Sequence, residues 1–204
     1  MTKKIITISR EYGSGGRQIG LAVSKRLSME FYDKELIDAA AKEIGFPSDL
    51  IADREQRLTN SLLYHFAMGA IHGMTYPREP KISELPLTEQ IFLAQKAAIE
   101  EAAKRESCVF IGRCADYILK SRPDVLRVFI YAPREVRKRR AIEEYGDLEE
   151  YIDEFMYQTD KRRRIYYENY SNQKWGSREN YDLMINSGEI GLDRCVDLIC
   201  EAAR

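Results

Sequence analysis

The feature that most narrows the folds open to this chain is a glycine-rich turn between a short β-branched run and a helical pattern. Ile5-Ile6-Thr7-Ile8 has no helical period, which suits a buried parallel strand. Gly13, Gly15 and Gly16 then supply the permissive backbone that a tight strand-to-helix turn requires. From Arg17 onward, Ile19, Leu21-Ala22 and Lys25-Arg26-Leu27 recur at helical spacing. In such a β-loop-α unit the turn directs backbone amides at the helix N-terminus, where phosphate oxygens are bound.

The same alternation continues along the chain. Phe31-Tyr32, Ser107 to Ile111, Val125 to Tyr131 and Tyr181 to Asn186 read as further strands, each followed by a helical pattern. Asp33 stands where it would cap a helix over Lys34-Glu35-Leu36-Ile37. Apolar residues recur at helical spacing in 58–72 and 89–103, with a loop near 74–86 marked by Pro77, Pro80 and Pro86. Residues 134–145 and 147–170 form a charged helical stretch, and a last helix runs from Leu192 to Ala203 with Gly191 or Ser187 as its cap. The expected fold class is α/β, a three-layer parallel sheet of about five strands with helices on both faces, of the P-loop NTPase type, plus a helical insertion; the family resemblance given below implies a lid as well.

Composition excludes several classes. With 44% hydrophobic and 32% charged residues the chain is expected to pack an ordinary interior. A net charge of -1 gives no global attraction to nucleic acid or anionic membrane, so anion binding must come from local clustering of Lys and Arg. Met1-Thr2-Lys3-Lys4 leads directly into the first strand without an apolar leader, so a cytoplasmic location without membrane association is expected. Cys108, Cys114, Cys195 and Cys200 lack the spacing of a zinc site and read as reduced thiols.

The chemistry-bearing groups fall at strand carboxyl ends, where ligands collect in parallel α/β sheets. They are the loop after Ile8, Asp33, and Gly112-Arg113. A phosphate-binding loop of the usual spacing has glycine, four residues, then Gly-Lys-Ser/Thr. Here Glu11 occupies the first place, Gly16-Arg17 replaces Gly-Lys, and Gln18 replaces the magnesium-binding hydroxyl. Arginine can still bind phosphate through its fork, whereas Gln18 is a poorer magnesium ligand. The expected nucleotide-binding residues are Gly13, Ser14, Gly15, Gly16, Arg17 and Gln18. No acidic residue ends the Cys108–Ile111 strand, and no protein metal site is expected.

Through Ile8-Ser9-Arg10-Glu11-Tyr12-Gly13-Ser14-Gly15-Gly16-Arg17, Phe31 to Leu36, Gly112-Arg113, Asp160-Lys161-Arg162-Arg163 and Asn180 to Leu183, the chain resembles the cytidylate-kinase-like family, relatives of the nucleoside monophosphate kinases. The resemblance implies one kinase-like domain over 1–204, with a helical acceptor-binding insertion at about 45–105 and a mobile arginine-bearing lid at about 147–178. It implies ATP-dependent phosphoryl transfer to a small acceptor, for example a nucleoside monophosphate such as CMP, with ATP and Mg2+ as cofactors. It places Arg113 on the acceptor phosphate, Asp160 and Arg163 toward the acceptor, and one of Arg134, Arg137, Arg139 and Arg140 near the nucleotide base. Arg17, Asp33 and Arg163 are the expected catalytic residues, and Asp33, Arg113, Asp160 and Arg163 the substrate-binding ones.

Each assignment has a plainer reading. Arg113 could be a surface arginine paired with Asp116, and Asp160 with Arg163 or Arg164 an ordinary helical ion pair. Asp33 could only cap its helix, and Arg134 to Arg140 could be a solvated face. Tyr166, Tyr167, Tyr170 and Trp175 suit helix packing or base stacking, although the net charge disfavours nucleic acid as a partner. The loop could also serve a regulatory module that binds a nucleotide without efficient transfer. The apolar residues of 58–74, Leu58 to Met74, would pack on the core or on a second subunit as a homodimer.

Overall fold

A computed structural model describes residues 3–43 and 85–204. The expected helix over 58–72, nearly all of the 74–86 loop and the proposed dimer surface lie outside the described residues.

Five strands form one sheet: β1 (Ile5–Arg10), β2 (Glu30–Tyr32), β3 (Cys108–Ile111), β4 (Val125–Tyr131) and β5 (Leu183–Asn186). Their spatial order is β2-β3-β1-β4-β5, and every pairing is parallel. Parallel neighbours need crossovers, and the helices supply them: α1 (Gly16–Leu27), α2 (Lys34–Glu43), α3 (Leu87–Arg105), α4 (Ala115–Ile118), α5 (Arg134–Tyr145), α6 (Ile152–Ser171), α7 (Ser187–Ile190) and α8 (Leu192–Ala202). The registers set Ile8 beside Ile111 and Val128, which brings the carboxyl ends of β1, β3 and β4 to one edge.

Alternation across the pleat sorts β1 into two faces. Ile6 and Ile8 join Val109, Ile111, Val128 and Ile130 in a buried cluster against Ile19 and Val23 of α1 and Val196 and Ile199 of α8. Burying each such side chain contributes about 2 kcal/mol relative to exposure. Thr7 and Ser9 point to the other face and are also buried. There Phe129 of β4 meets Trp175 at 5.3 Å and Tyr181 at 5.0 Å between ring centroids. Asp182 accepts the Arg127 amide at 2.9 Å and its guanidinium at 2.7 Å, tying the approach to β5 onto β4.

The chain divides into two compact units, Met1–Leu36 with Ile99–Arg204, and Ile37–Ala98. The first holds the whole sheet and the carboxyl edge. In the second, Ala94 and Ala98 pack with Ala40, and the Gln95 amide donates to Asp38 at 2.7 Å.

Several boundaries differ from the sequence expectation. The charged stretch is broken by Gly146, whose φ of 77° ends α5, and α6 starts at Ile152 rather than 147. Strand β5 begins at Leu183 because Asn180 and Tyr181 still belong to the preceding 3-10 turn and its exit. Gly191 precedes α8 as expected, while Ser187 instead opens α7, capped by the Asn186 side chain on the Gly188 amide. All four cysteines are buried free thiols. No described helix is long and apolar enough to cross a membrane.

Candidate functional site

The turn between β1 and α1 has the backbone that its glycines promised. Gly13 and Gly15 sit at φ of 73° and 79°, a region that side-chain-bearing residues rarely enter. A Cβ on Gly13 would overlap the Arg137 carbonyl, so glycine is required there twice over. Ser14 is fully buried; its hydroxyl donates to the Glu11 carbonyl at 2.8 Å and its own carbonyl accepts the Ser187 hydroxyl at 2.6 Å.

Two arginines of α5 hold the loop from one side. Arg140 donates to the Gly13 carbonyl at 2.7 Å, and Arg137 donates to the Tyr12 carbonyl at 3.2 Å. By taking these carbonyls they fix the orientation of the loop's peptide planes, the property an anion-binding turn depends on. Neither arginine lies on a solvated helix face: their side chains are only 14% and 10% exposed. Arg134 does stay outside, paired with Asp153 at 2.7 Å.

Helix α6 closes on the same loop. The Asp160 carboxylate accepts the Tyr12 amide at 2.7 Å and Arg137 at 2.6 Å, and pairs with Arg163 at 3.3 Å. Arg163 in turn donates to the Arg10 carbonyl at 3.2 Å and lies over the Tyr12 ring. Of the two helical partners open to Asp160, the geometry selects Arg163. Tyr12 also donates through its hydroxyl to Asp147 at 2.6 Å and meets the Phe155 ring edge-on at 5.2 Å. Burial depresses the proton affinity of Arg163, with Asp160 opposing the shift.

Asp33 caps its helix, as its plainer reading held, and also pairs with Arg17. One carboxylate oxygen accepts the Leu36 amide at 3.3 Å, a helix cap, and the other accepts Arg17 through Nη2 at 2.6 Å and Nε at 3.1 Å. Burial works against its charge, but Arg17 and the Leu36 amide outweigh it and hold the carboxyl below its ordinary value. Gln18 donates its amide to Glu144 at 2.8 Å. Arg113 follows β3 at φ of 57° with its guanidinium over the Tyr166 ring at 5.6 Å. Asp116 is buried apart in the layer beneath, where Tyr167 is its hydrogen-bonding neighbour.

The sequence profile of the cytidylate kinase-like family matches residues 5–189. The chain belongs to that family. Among solved structures this cytidylate kinase-like chain is similar to an uncharacterized protein from Eubacterium ventriosum ATCC 27560. The two are 26% identical at a TM-score of 0.73, over 98% of this chain and 97% of that one. It also shares its fold with a gluconokinase from Sinorhizobium meliloti 1021 (16% identity, TM-score 0.54, 97% of this chain and 90% of that). A shikimate kinase from Bacteroides thetaiotaomicron is similar in the same way (15%, 0.50, 97% of both chains). A comparison with curated proteins returns no match.

Around the kinase-like loop, Ser14 donates its hydroxyl to the Glu11 carbonyl, Gln18 donates its amide nitrogen to Glu144 and keeps its amide oxygen, and Asp33 accepts Arg17. Among the described residues no three or more His, Cys, Asp and Glu side chains are clustered as a metal site. Four contributions were not legible in the sequence: Arg137 and Arg140 as clamps of the loop, Ser187 as its floor, and Arg10 at the end of β1. Arg10 stood inside the family motif without a role. Its neighbourhood depends on β3 lying beside β1, which no local pattern announces.

Proposed function

We propose that this protein transfers the γ-phosphoryl group of ATP to a small acceptor, a nucleoside monophosphate such as CMP being the first candidate. The observation that carries the reading is the convergence at one sheet edge of a glycine-rich helix-start loop with Arg113 and Arg163, beside the Arg17–Asp33 pair. Loop amides and the N-terminus of α1 would receive the donor phosphates. Arg113 and Arg163 would neutralise charge that spreads over the phosphoryl oxygens as an acceptor oxygen, a phosphate oxygen in the case of CMP, bonds to γ-phosphorus and the bond to ADP breaks; a hydroxyl acceptor would also release its proton to solvent. Asp33, kept ionised by Arg17, is suited to position the acceptor by accepting a hydrogen bond from it rather than to act as a general base, since a depressed acid is a weak base.

ADP formation measured over a panel of nucleoside monophosphates, sugars and small hydroxy compounds tests this. An acceptor that raises ADP release well above the rate with water alone supports transfer. Nucleotide binding with no acceptor-dependent ADP would leave the second reading, a nucleotide-binding regulatory module. That reading is favoured by the commitment of Gln18 to Glu144 and of Arg17 to Asp33.

A further inference from the structure

Arg17 stands where phosphate loops usually place their lysine, yet both Nε and Nη2 of its guanidinium are spent on Asp33, and the side chain is 60% exposed. Arg10 is differently placed. Its Cβ and Cγ lie against Gly16, the first residue of α1, where a Cβ would come within 2.6 Å of Arg10 Cβ. Its Nη1 rests on Gly112, leaving no room for a side chain there. The side chain therefore runs from the start of α1 to the turn after β3, which places its guanidinium at Gly112, on the β3 side of the loop.

No carboxylate lies within ion-pairing distance of the Arg10 side chain among the described residues, in contrast to Arg17, Arg137 and Arg163. Its charged neighbours include two like charges. Burial, then Arg163, then Arg113 lower its proton affinity well below the ordinary value, against weaker support from Asp160 and Glu35. Asp160 is already engaged by Arg137 and the Tyr12 amide. A crowded guanidinium without a counterion costs stability unless an anion completes it. Gly16 and Gly112 are the two residues whose missing side chains make room for that arrangement.

We propose that Arg10, rather than Arg17, is the cation that meets the phosphoryl oxygens at this site, between the glycine-rich loop and the Gly112-Arg113 turn. The assignment rests on the phosphate-site reading above and gives the loop's missing lysine a replacement from the strand before it rather than from the helix after it. Arg17 then positions Asp33.

Thermal unfolding with and without tripolyphosphate, and calorimetric binding of a non-hydrolysable ATP analogue, decide the matter on wild type, Arg10→Gln, Arg10→Lys and Arg17→Gln. Without anion, Arg10→Gln is expected to melt at or above the wild-type temperature, because like-charge crowding is relieved. Its tripolyphosphate-induced rise should be lost in large part, with analogue affinity falling about tenfold or more. Arg10→Lys should recover part of both, and Arg17→Gln should lose less affinity than Arg10→Gln. The proposal is overturned if Arg10→Gln melts lower than wild type yet keeps its anion-induced rise, or if Arg17→Gln loses more affinity than Arg10→Gln. Wild type that responds to neither ligand would overturn the phosphate-site reading itself.

Discussion

At the scale of single residues, Asp160 organises more of the site than any other side chain. It joins α6 to α5 through Arg137 and to the loop through the Tyr12 amide, with side chains only 16% and 14% exposed at the Asp160–Arg137 pair. Removing one partner of a mostly buried pair strands the other's charge, so Asp160→Ala should cost about 3 kcal/mol in urea denaturation. The double variant with Arg137→Ala should cost clearly less than the sum of the single changes. Additive costs would show that the pair is not coupled. Sequence spacing offered Asp160 two partners on its own helix, Arg163 and Arg164, but not its stronger partner on α5. Periodicity identifies neighbours within one helix and is silent about which residue of a second helix faces them.

At the scale of elements, the strands and the loop were legible, because each depends on local chemistry. The β-branched run of β1, the apolar run of β3 and the glycines before α1 mean the same thing in any parallel sheet. What fastens the elements together was not legible. Arg140 reaches the Gly13 carbonyl, and Ser187 reaches the Ser14 carbonyl from the far end of the chain. These contacts exist only once the crossovers have placed β4 beside β1 and β5 beside β4. Among the described glycines, Gly13 is the one set against backbone, that of Arg137 in α5. Gly13→Ala should therefore cost more than the roughly 1–2 kcal/mol of left-handed strain alone, since α5 must also shift. Measured stability within experimental error of wild type would mean that the loop has another conformation at equal cost.

At the scale of the whole molecule, the layer beneath the sheet carries a buried acid. Burial pushes the Asp116 carboxyl up to about 6, with the Tyr167 hydroxyl opposing the shift, from an ordinary value of 3.8. Between those two values the folded state holds more protons than the unfolded chain. Stability should therefore fall as pH rises through that window, and the cost is complete above the folded value. Asp116→Asn should flatten this part of the pH–stability curve and raise stability at neutral pH by about 2 kcal/mol. An unchanged slope would show that Asp116 ionises as it does in the unfolded chain.

The sheet edge is where all three scales meet: the loop held by α5, the Asp160–Arg163 pair on α6, and the Arg17–Asp33 pair at the end of β2. Its most direct test is the fate of the terminal phosphate, followed with ATP labelled at the γ position and the acceptor panel headed by CMP. The account predicts label transferred to an acceptor, at a rate reduced by Arg163→Ala and by Asp33→Asn. Label released only as inorganic phosphate, or retained in ATP with every acceptor, would contradict it.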